Sequence, residues 1–336
     1  MAERATIKDV AALAGVSVGS ISNYLTSKKA ISASARSRIE SAISELGFIP
    51  NSAVRVMRGQ RSSAIGFMIP DSSNPFFSEV ARGVEEVAID AGYVVVMCNT
   101  NGDDDRENHY ARALSEMRVV GAIATPTSAS EKNLAQLDAS GASIVLLGSG
   151  EHPPAFSSVD VDDVTGGMLV AHHLIERGHR DILFFGGPAA DPQIHARFEG
   201  LRRGFLAVGL DPSRIRRFDA SGSTTAARLA GAREVIALNP RPTAAFCAND
   251  LLGIALEAEL LRAGISVPGQ FEIVGYDDIE GAQTAPVPLT TVRQPQFEIG
   301  KAAATLLLAQ AKEGAPHEHI SFRPHLVERE STRSLP

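Results

Sequence analysis

The sequence predicts an α/β protein built from a small helical head and a large two-lobed body. Three observations carry this expectation. The first 49 residues hold three short helical patterns separated by glycine and serine signals. From Ala64 onward, short apolar runs alternate with amphipathic stretches, the βαβα order of parallel sheets covered on both faces. That alternation repeats before and after about residue 160, which predicts two doubly wound lobes.

Composition sets the frame. At 336 residues, 44% apolar and 21% charged, the chain has room for two or three domains and a sizeable core. No apolar run nears the ~18 residues of a membrane span. The opening MAERATIKDV lacks an apolar signal core, so a cytoplasmic protein is expected. Cys98 and Cys247 each end an apolar run and read as buried free thiols; neither a disulfide, a metal site nor a cofactor is expected. The net charge of −7 is uneven. Residues 1–61 carry nine Lys/Arg against four acids, a balance of +5, and the remainder carries −12. A basic head on an acidic body suggests an anionic partner for the head alone.

In the head, Thr6 caps a helix over Ile7–Ala14, with Asp9 completing a capping box. Gly15 ends that helix, and Ser17 caps a second, Val18–Thr26, whose inward side is Ile21 and Leu25. Ser32 caps a third helix that buries Ile39, Ala42, Ile43 and Leu46 and stops at Gly47. Helix, glycine turn, helix and a third supporting helix describe a helix-turn-helix DNA-binding unit. In that geometry Val18 and Gly19 stand nearest the bases. Asn23 suits a polar base contact, and Ser20, Ser22, Lys28, Lys29 and Arg36 suit phosphates. The cap residues Thr6 and Ser17 complete the expected DNA-binding set.

Next come Pro50, which blocks helix continuation, and Asn51, an N-cap for a short segment ending at Gly59. A basic helix this short is unstable alone and suited to folding on a partner.

The runs TIKDVAALAGVSVGSISNYL and ISASARSRIESAISELGFIPN resemble the N-terminal signature of the lactose/galactose repressor (LacI/GalR) family. The chain departs from that pattern at Ser20, Asn23 and Thr26. Asn23 matters most, because the family often has a base-reading arginine there. The resemblance implies a pair of hinge helices docked in the minor groove, with Met57 in place of the usual leucine wedge and Val54 in place of an alanine. It also implies a homodimer on near-palindromic double-stranded operator DNA, with no membrane partner. The expected domains are the helix-turn-helix domain 1–49, the hinge 50–62 and the effector-binding and dimerisation body 63–336. Lobe 1 spans about 63–160 and 294–320; lobe 2 spans about 161–293 and 321–333.

In the body, strands are expected at 64–69, 93–98, 121–125, 143–147, 181–186, 243–247 and 272–276. Helical patterns fall at 76–91, 104–117, 163–177, 195–208, 223–238, 250–263 and 296–312. Dinucleotide, P-loop and nucleophile-elbow fingerprints are missing, so no enzyme is expected. His317 and His319 are placed in a surface loop. The polar strand ends DSSNPFF, PQIHARFEG, RFDASGS, CAND, GYDD and TTVRQP, in this order, resemble the same family's periplasmic-binding-protein-like effector domain. The resemblance implies effector contacts from Asn74, Phe76, Phe77, Arg197, Phe218, Asn249, Asp277 and Gln294. Phe76 and Phe77 also fit a core, and Asp277 also fits a helix cap. Many sugar-binding relatives have Asp-Arg after the strand SIVLL; Gly148-Ser149 stand here. The expected function is a transcriptional regulator, a repressor, controlled by a small molecule (sugar, sugar derivative or nucleoside-like) bound between lobes. A sugar-binding transport-type module without DNA binding is the alternative.

Overall fold

The computed structural model describes residues 5–26, 31–48, 61–127, 129–148, 155–187 and 191–333. The chain forms two compact units, Met1–Ser62 and Ser63–Pro336. Among the described residues, no helix is long and apolar enough to cross a membrane.

The first unit holds α1 (Ile7–Ala14), α2 (Val18–Thr26) and α3 (Ala33–Leu46). Its ends follow the local signals. Thr6 N–H donates to Asp9 Oδ2 at 2.7 Å while Thr6 Oγ1 accepts from Asp9 N–H, a reciprocal cap. Gly15 takes φ 62°, which lets the chain leave α1 and enter α2 within three residues. Ser17 Oγ accepts from Ser20 N–H at 3.1 Å, and Ser32 Oγ from Ala35 N–H at 3.3 Å. Val10, Ala11, Ala14, Ile21, Ile39 and Ala42 form the buried core, at the helical spacing that the sequence offers. Tyr24 ties α2 to α3: its hydroxyl donates to Glu40 at 3.1 Å, and Arg36 lies 5.7 Å from its ring.

Among the described residues, the second unit contains two six-stranded sheets. The first sheet uses β1 (Ala64–Ile69), β2 (Val94–Asn99), β3 (Gly121–Ala124), β4 (Ser143–Leu147), β5 (Ser157–Val161) and β11 (His319–Phe322). Their order is β11-β5-β4-β3-β1-β2, all parallel. The second uses β6 (Ile182–Gly186), β7 (Ile215–Asp219), β8 (Ala244–Cys247), β9 (Glu272–Asp277), β10 (Thr290–Arg293) and β12 (His325–Val327). Its order is β12-β10-β9-β8-β6-β7, parallel except for the edge strand β12. Helices α4 (Pro75–Asp90), α5 (Asp104–Glu116), α6 (Ser130–Ala139) and α12 (Gln296–Glu313) cover the first sheet. Helices α7 (Asp163–Glu176), α8 (Pro192–Ala207), α9 (Thr225–Ile236) and α10 (Asp250–Arg262), with the short α11 (Glu280–Gln283), belong to the second. The chain passes between lobes after β5, after β10 and between β11 and β12.

Five strands escape the apolar-run pattern, each for a visible reason. β5, SSVDV, hides behind Ser157 and Ser158, both fully buried. Ser157 Oγ accepts from Glu318 N–H at 2.9 Å and Ser158 Oγ bonds His319 Nδ1 at 2.8 Å. β7, IRRFD, is an edge strand and tolerates charge; β10, β11 and β12 are only three or four residues long. His319 therefore lies on the edge strand β11 rather than in a loop, though it is exposed. Cys98 and Cys247 are free and buried.

Candidate functional site

Helices α7 and α8 cross at a pair of glycines. A Cβ on Gly167 would lie 2.2 Å from Arg197 O, and one on Gly200 would lie 2.1 Å from Val164 O. Only bare backbone fits so close an approach. The crossing brings Arg197 beside Asp163: Arg197 Nε donates to Asp163 Oδ1 at 3.0 Å. The guanidinium also donates to Ala248 O at 2.6 Å and lies 3.8 Å from the centroid of the Tyr276 ring. Burial alone would pull the Arg197 pKa down, but Asp163, Tyr276 and Asp277 outweigh it and hold the group charged.

Asp277 ends β9 and collects groups from both lobes. Its Oδ2 accepts from Asn74 Nδ2 at 3.3 Å, and its Oδ1 from Gln294 Nε2 at 2.7 Å. Its Oδ1 is 3.9 Å from Arg197 Nη1. Asp277 has φ 117° and Asp278 φ 60°, a strained strand end of the kind that surrounding contacts must impose. Arg293 and Arg329 both donate to Asp278 and supply that restraint. Burial pushes the Asp277 carboxyl up to about 6, while Arg197 and the donors Asn74 and Gln294 pull the other way. Behind it, Asp250 accepts from Thr291 Oγ1 at 2.5 Å and Ile279 N–H at 2.9 Å. Burial, then the nearby Asp277, raises the Asp250 pKa well above the ordinary carboxylate value.

The structure thus gathers Asn74, Arg197, Asp277 and Gln294. Asn74 also N-caps α4 through Phe76 N–H. Phe76 and Phe77 meet edge to face with centroids 5.0 Å apart, both in the core. Phe218 packs on Phe185 with centroids 5.8 Å apart, beside Gly231, so its ring faces the layer under α9. Asn249 N-caps α10, accepting from Leu252 N–H at 2.9 Å. Asp163 and Tyr276 join the site outside the expected set; the signals for them are the N-cap Asp162 beside Asp163 and the GYDD run. Gln193 is a third such residue. Gly148, at φ 118°, ends β4, and a Cβ there would lie 2.6 Å from Gln193 Nε2. The amide of Gln193 holds the space a side chain at 148 would need. Ser149 lies outside the described residues.

On the head, Thr6, Ser17, Val18 and Gly19 are exposed, Val18 by 43%; Ser20, Ser22 and Asn23 are half-buried. Ser17 and Ser20 share a hydroxyl contact at 3.0 Å, and Thr6 Oγ1 donates to Asp9 at 2.6 Å. Lys28, Lys29, Asn51, Val54 and Met57 lie outside the described residues.

A helix-turn-helix unit on a two-lobed α/β body with a polar cluster at the strand ends is the build of a ligand-controlled DNA-binding regulator. The comparisons agree. A profile described as "Bacterial regulatory proteins, lacI family" matches residues 6–51, and one described as "Periplasmic binding protein-like domain" matches residues 171–332. The HTH-type transcriptional repressor PurR of Aliivibrio fischeri is 33% identical over 335 residues, 97% of this chain and 98% of that protein. A LacI-family transcriptional regulator from Silicibacter pomeroyi has a TM-score of 0.84 at 26% identity, covering 98% of this chain and 100% of that one. The transcriptional regulator CelR in complex with cellobiose has a TM-score of 0.71 at 29% identity, with 98% and 100% covered. The chain belongs to the lacI family of bacterial regulatory proteins. Its role is sequence-specific transcription regulation, not catalysis.

Proposed function

We propose that the chain is a homodimeric repressor whose affinity for a near-palindromic operator is set by a polar, ring-shaped effector bound between the lobes. The single observation that carries the effector half is the buried Asn74–Asp277–Gln294 bridge, with Arg197 beside it. Its donors and acceptors lie in a largely dry setting, where hydroxyls or ring nitrogens of a sugar, sugar derivative or nucleoside-like ligand are recognised well. Cellobiose in the CelR complex is a ligand of that chemistry. Because the Asp277 oxygens are already bonded to Asn74 and Gln294, a ligand hydroxyl takes the place of one of these amides. Gln193 over Gly148 supports a different pattern at that edge from the Asp-Arg of many sugar-binding relatives.

On the DNA side, Val18 and Gly19 face the bases and Asn23 reads a neighbouring one. Thr6, Ser17, Ser20, Ser22, Lys28 and Lys29 hold phosphates, and the hinge residues Asn51, Val54 and Met57 engage the minor groove. The domains run 1–49, 50–62 and 63–336, and the protein works in the cytoplasm on nucleoid DNA. A thermal-shift screen of sugars, sugar phosphates, nucleosides and purines tests the effector reading, with Asn74→Ala and Asp277→Asn as controls. A ligand that stabilises the wild type should lose its effect in both variants. Equal stabilisation of all three proteins would overturn the assignment of the site.

A further inference from the structure

The crossings between lobes all gather at one side. β5 and β11 are the outer pair of the first sheet, and β10 and β12 are the outer pair of the second. The opposite edges are β2 and β7, so opening about the crossings separates the β2 and β7 sides most. A cross-lobe contact on that side has the longest lever.

Such a contact exists outside the Asp277 cluster. Asp71 follows β1, the neighbour of β2, and Arg228 lies on α9, which follows β7. Arg228 Nη1 is 4.0 Å from Asp71 Oδ2. Each partner is anchored within its own lobe. Asp71 Oδ1 accepts from Ser73 N–H at 2.9 Å and Ser73 Oγ–H at 2.6 Å. Arg228 donates to Ser223 O, and to Thr225 Oγ1 at 3.1 Å. Both side chains are therefore ordered before they meet, and little rotamer freedom is lost on closure. Arg228 is 8% exposed. Burial lowers its pKa from the ordinary arginine value and the Asp71 carboxylate offsets part of this.

We propose that the Asp71–Arg228 ion pair is a latch that biases the lobes toward closure and so sets the open–closed balance on which an effector acts. The cluster at Asp277 cannot serve this purpose in the same way once ligand is bound, because a ligand hydroxyl then takes the place of one of its amides. The ion pair uses none of those groups. Only the last clause of the proposal rests on the regulatory reading; the closure itself can be measured without any effector.

The test uses the full-length chain with nitroxide labels at Glu116→Cys on α5 and Glu234→Cys on α9, helices that follow the two far-edge strands. Both native thiols are buried. Pulsed electron–electron distances are recorded without ligand. Arg228→Ala and Asp71→Ala should each raise the open-to-closed ratio about fivefold or more, in the range of ordinary conformational coupling. The double variant should open no further than either single one, and Arg228→Lys should retain most of the short-distance population. Asp71→Asn replaces Asp71→Ala if the latter does not melt cooperatively. Unchanged distance distributions in the single variants, or additive opening in the double, would overturn the latch. Failure of the regulatory reading would show instead as DNA affinity indifferent to every stabilising ligand, with the distance shifts intact.

Discussion

Gly167 and Gly200 face each other where α7 crosses α8, and this contact sets Arg197 3.0 Å from Asp163. The arginine is three residues from one glycine and the aspartate four from the other, so both side chains project near the crossing. Gly83 and Gly300 make the same kind of crossing between α4 and α12 in the other lobe: Cβ atoms there would lie 2.1 Å from Phe297 O and 2.0 Å from Val80 O. Gly200→Ala should cost about 1–3 kcal/mol, the usual range for overpacking. Thermal or urea unfolding checks it; a wild-type midpoint would contradict the role of the crossing.

Arg197→Ala should destabilise the fold strongly, by about 3–5 kcal/mol, because it removes the cation that balances the buried Asp163 carboxylate. Asp163→Asn/Arg197→Ala should recover part of that loss. Urea unfolding of the single and double variants measures this. A loss in the single variant under about 1 kcal/mol, the level of a surface ion pair, would contradict the buried pairing.

Asp277 predicts a pH dependence with a definite sign. Its carboxyl is raised from 3.8 to about 6 in the native state, so the folded chain holds that proton more tightly than the unfolded chain does. Its contribution to stability is present below about pH 4 and is lost as pH rises through about 6. The difference between wild type and Asp277→Asn, followed by urea unfolding, isolates this from the other acids. A difference that is flat between pH 4 and 6.5 would contradict the raised value.

On the DNA side, Asn23→Ala should relax base preference at one position per half-site, at about 1–3 kcal/mol of discrimination. Lys28→Ala should weaken all sequences alike and reduce the salt slope by about one unit. Met57→Ala should reduce operator bending while leaving ligand-induced thermal shifts of the body unchanged. Gel shifts with substituted and circularly permuted operators read all three effects.

The head was legible because its signals are local. Thr6, Gly15, Ser17, Ser32 and Gly47 end helices through contacts two to five residues away, and all lie where those signals put them. In the body, β1 and β4 have the expected bounds and the other expected strands agree within one residue at either end. What stayed hidden is nonlocal. Ser157 and Ser158 look exposed in sequence, yet partners 153 to 161 residues away satisfy them inside the sheet. Asp163 opens α7 next to its N-cap Asp162, and only the glycine crossing brings Arg197 to it. Phe218 follows strand alternation onto the α9 side, which a motif lying near a strand end does not reveal.

The most direct measurement is the affinity of the full-length chain for its own upstream DNA, by fluorescence anisotropy, with and without a ligand recovered from the thermal-shift screen. Ligand should change the wild-type Kd by about 5- to 150-fold and leave that of Asp277→Asn unchanged. A ligand that stabilises the body through Asp277 yet leaves the DNA affinity of the wild type unaltered would contradict it.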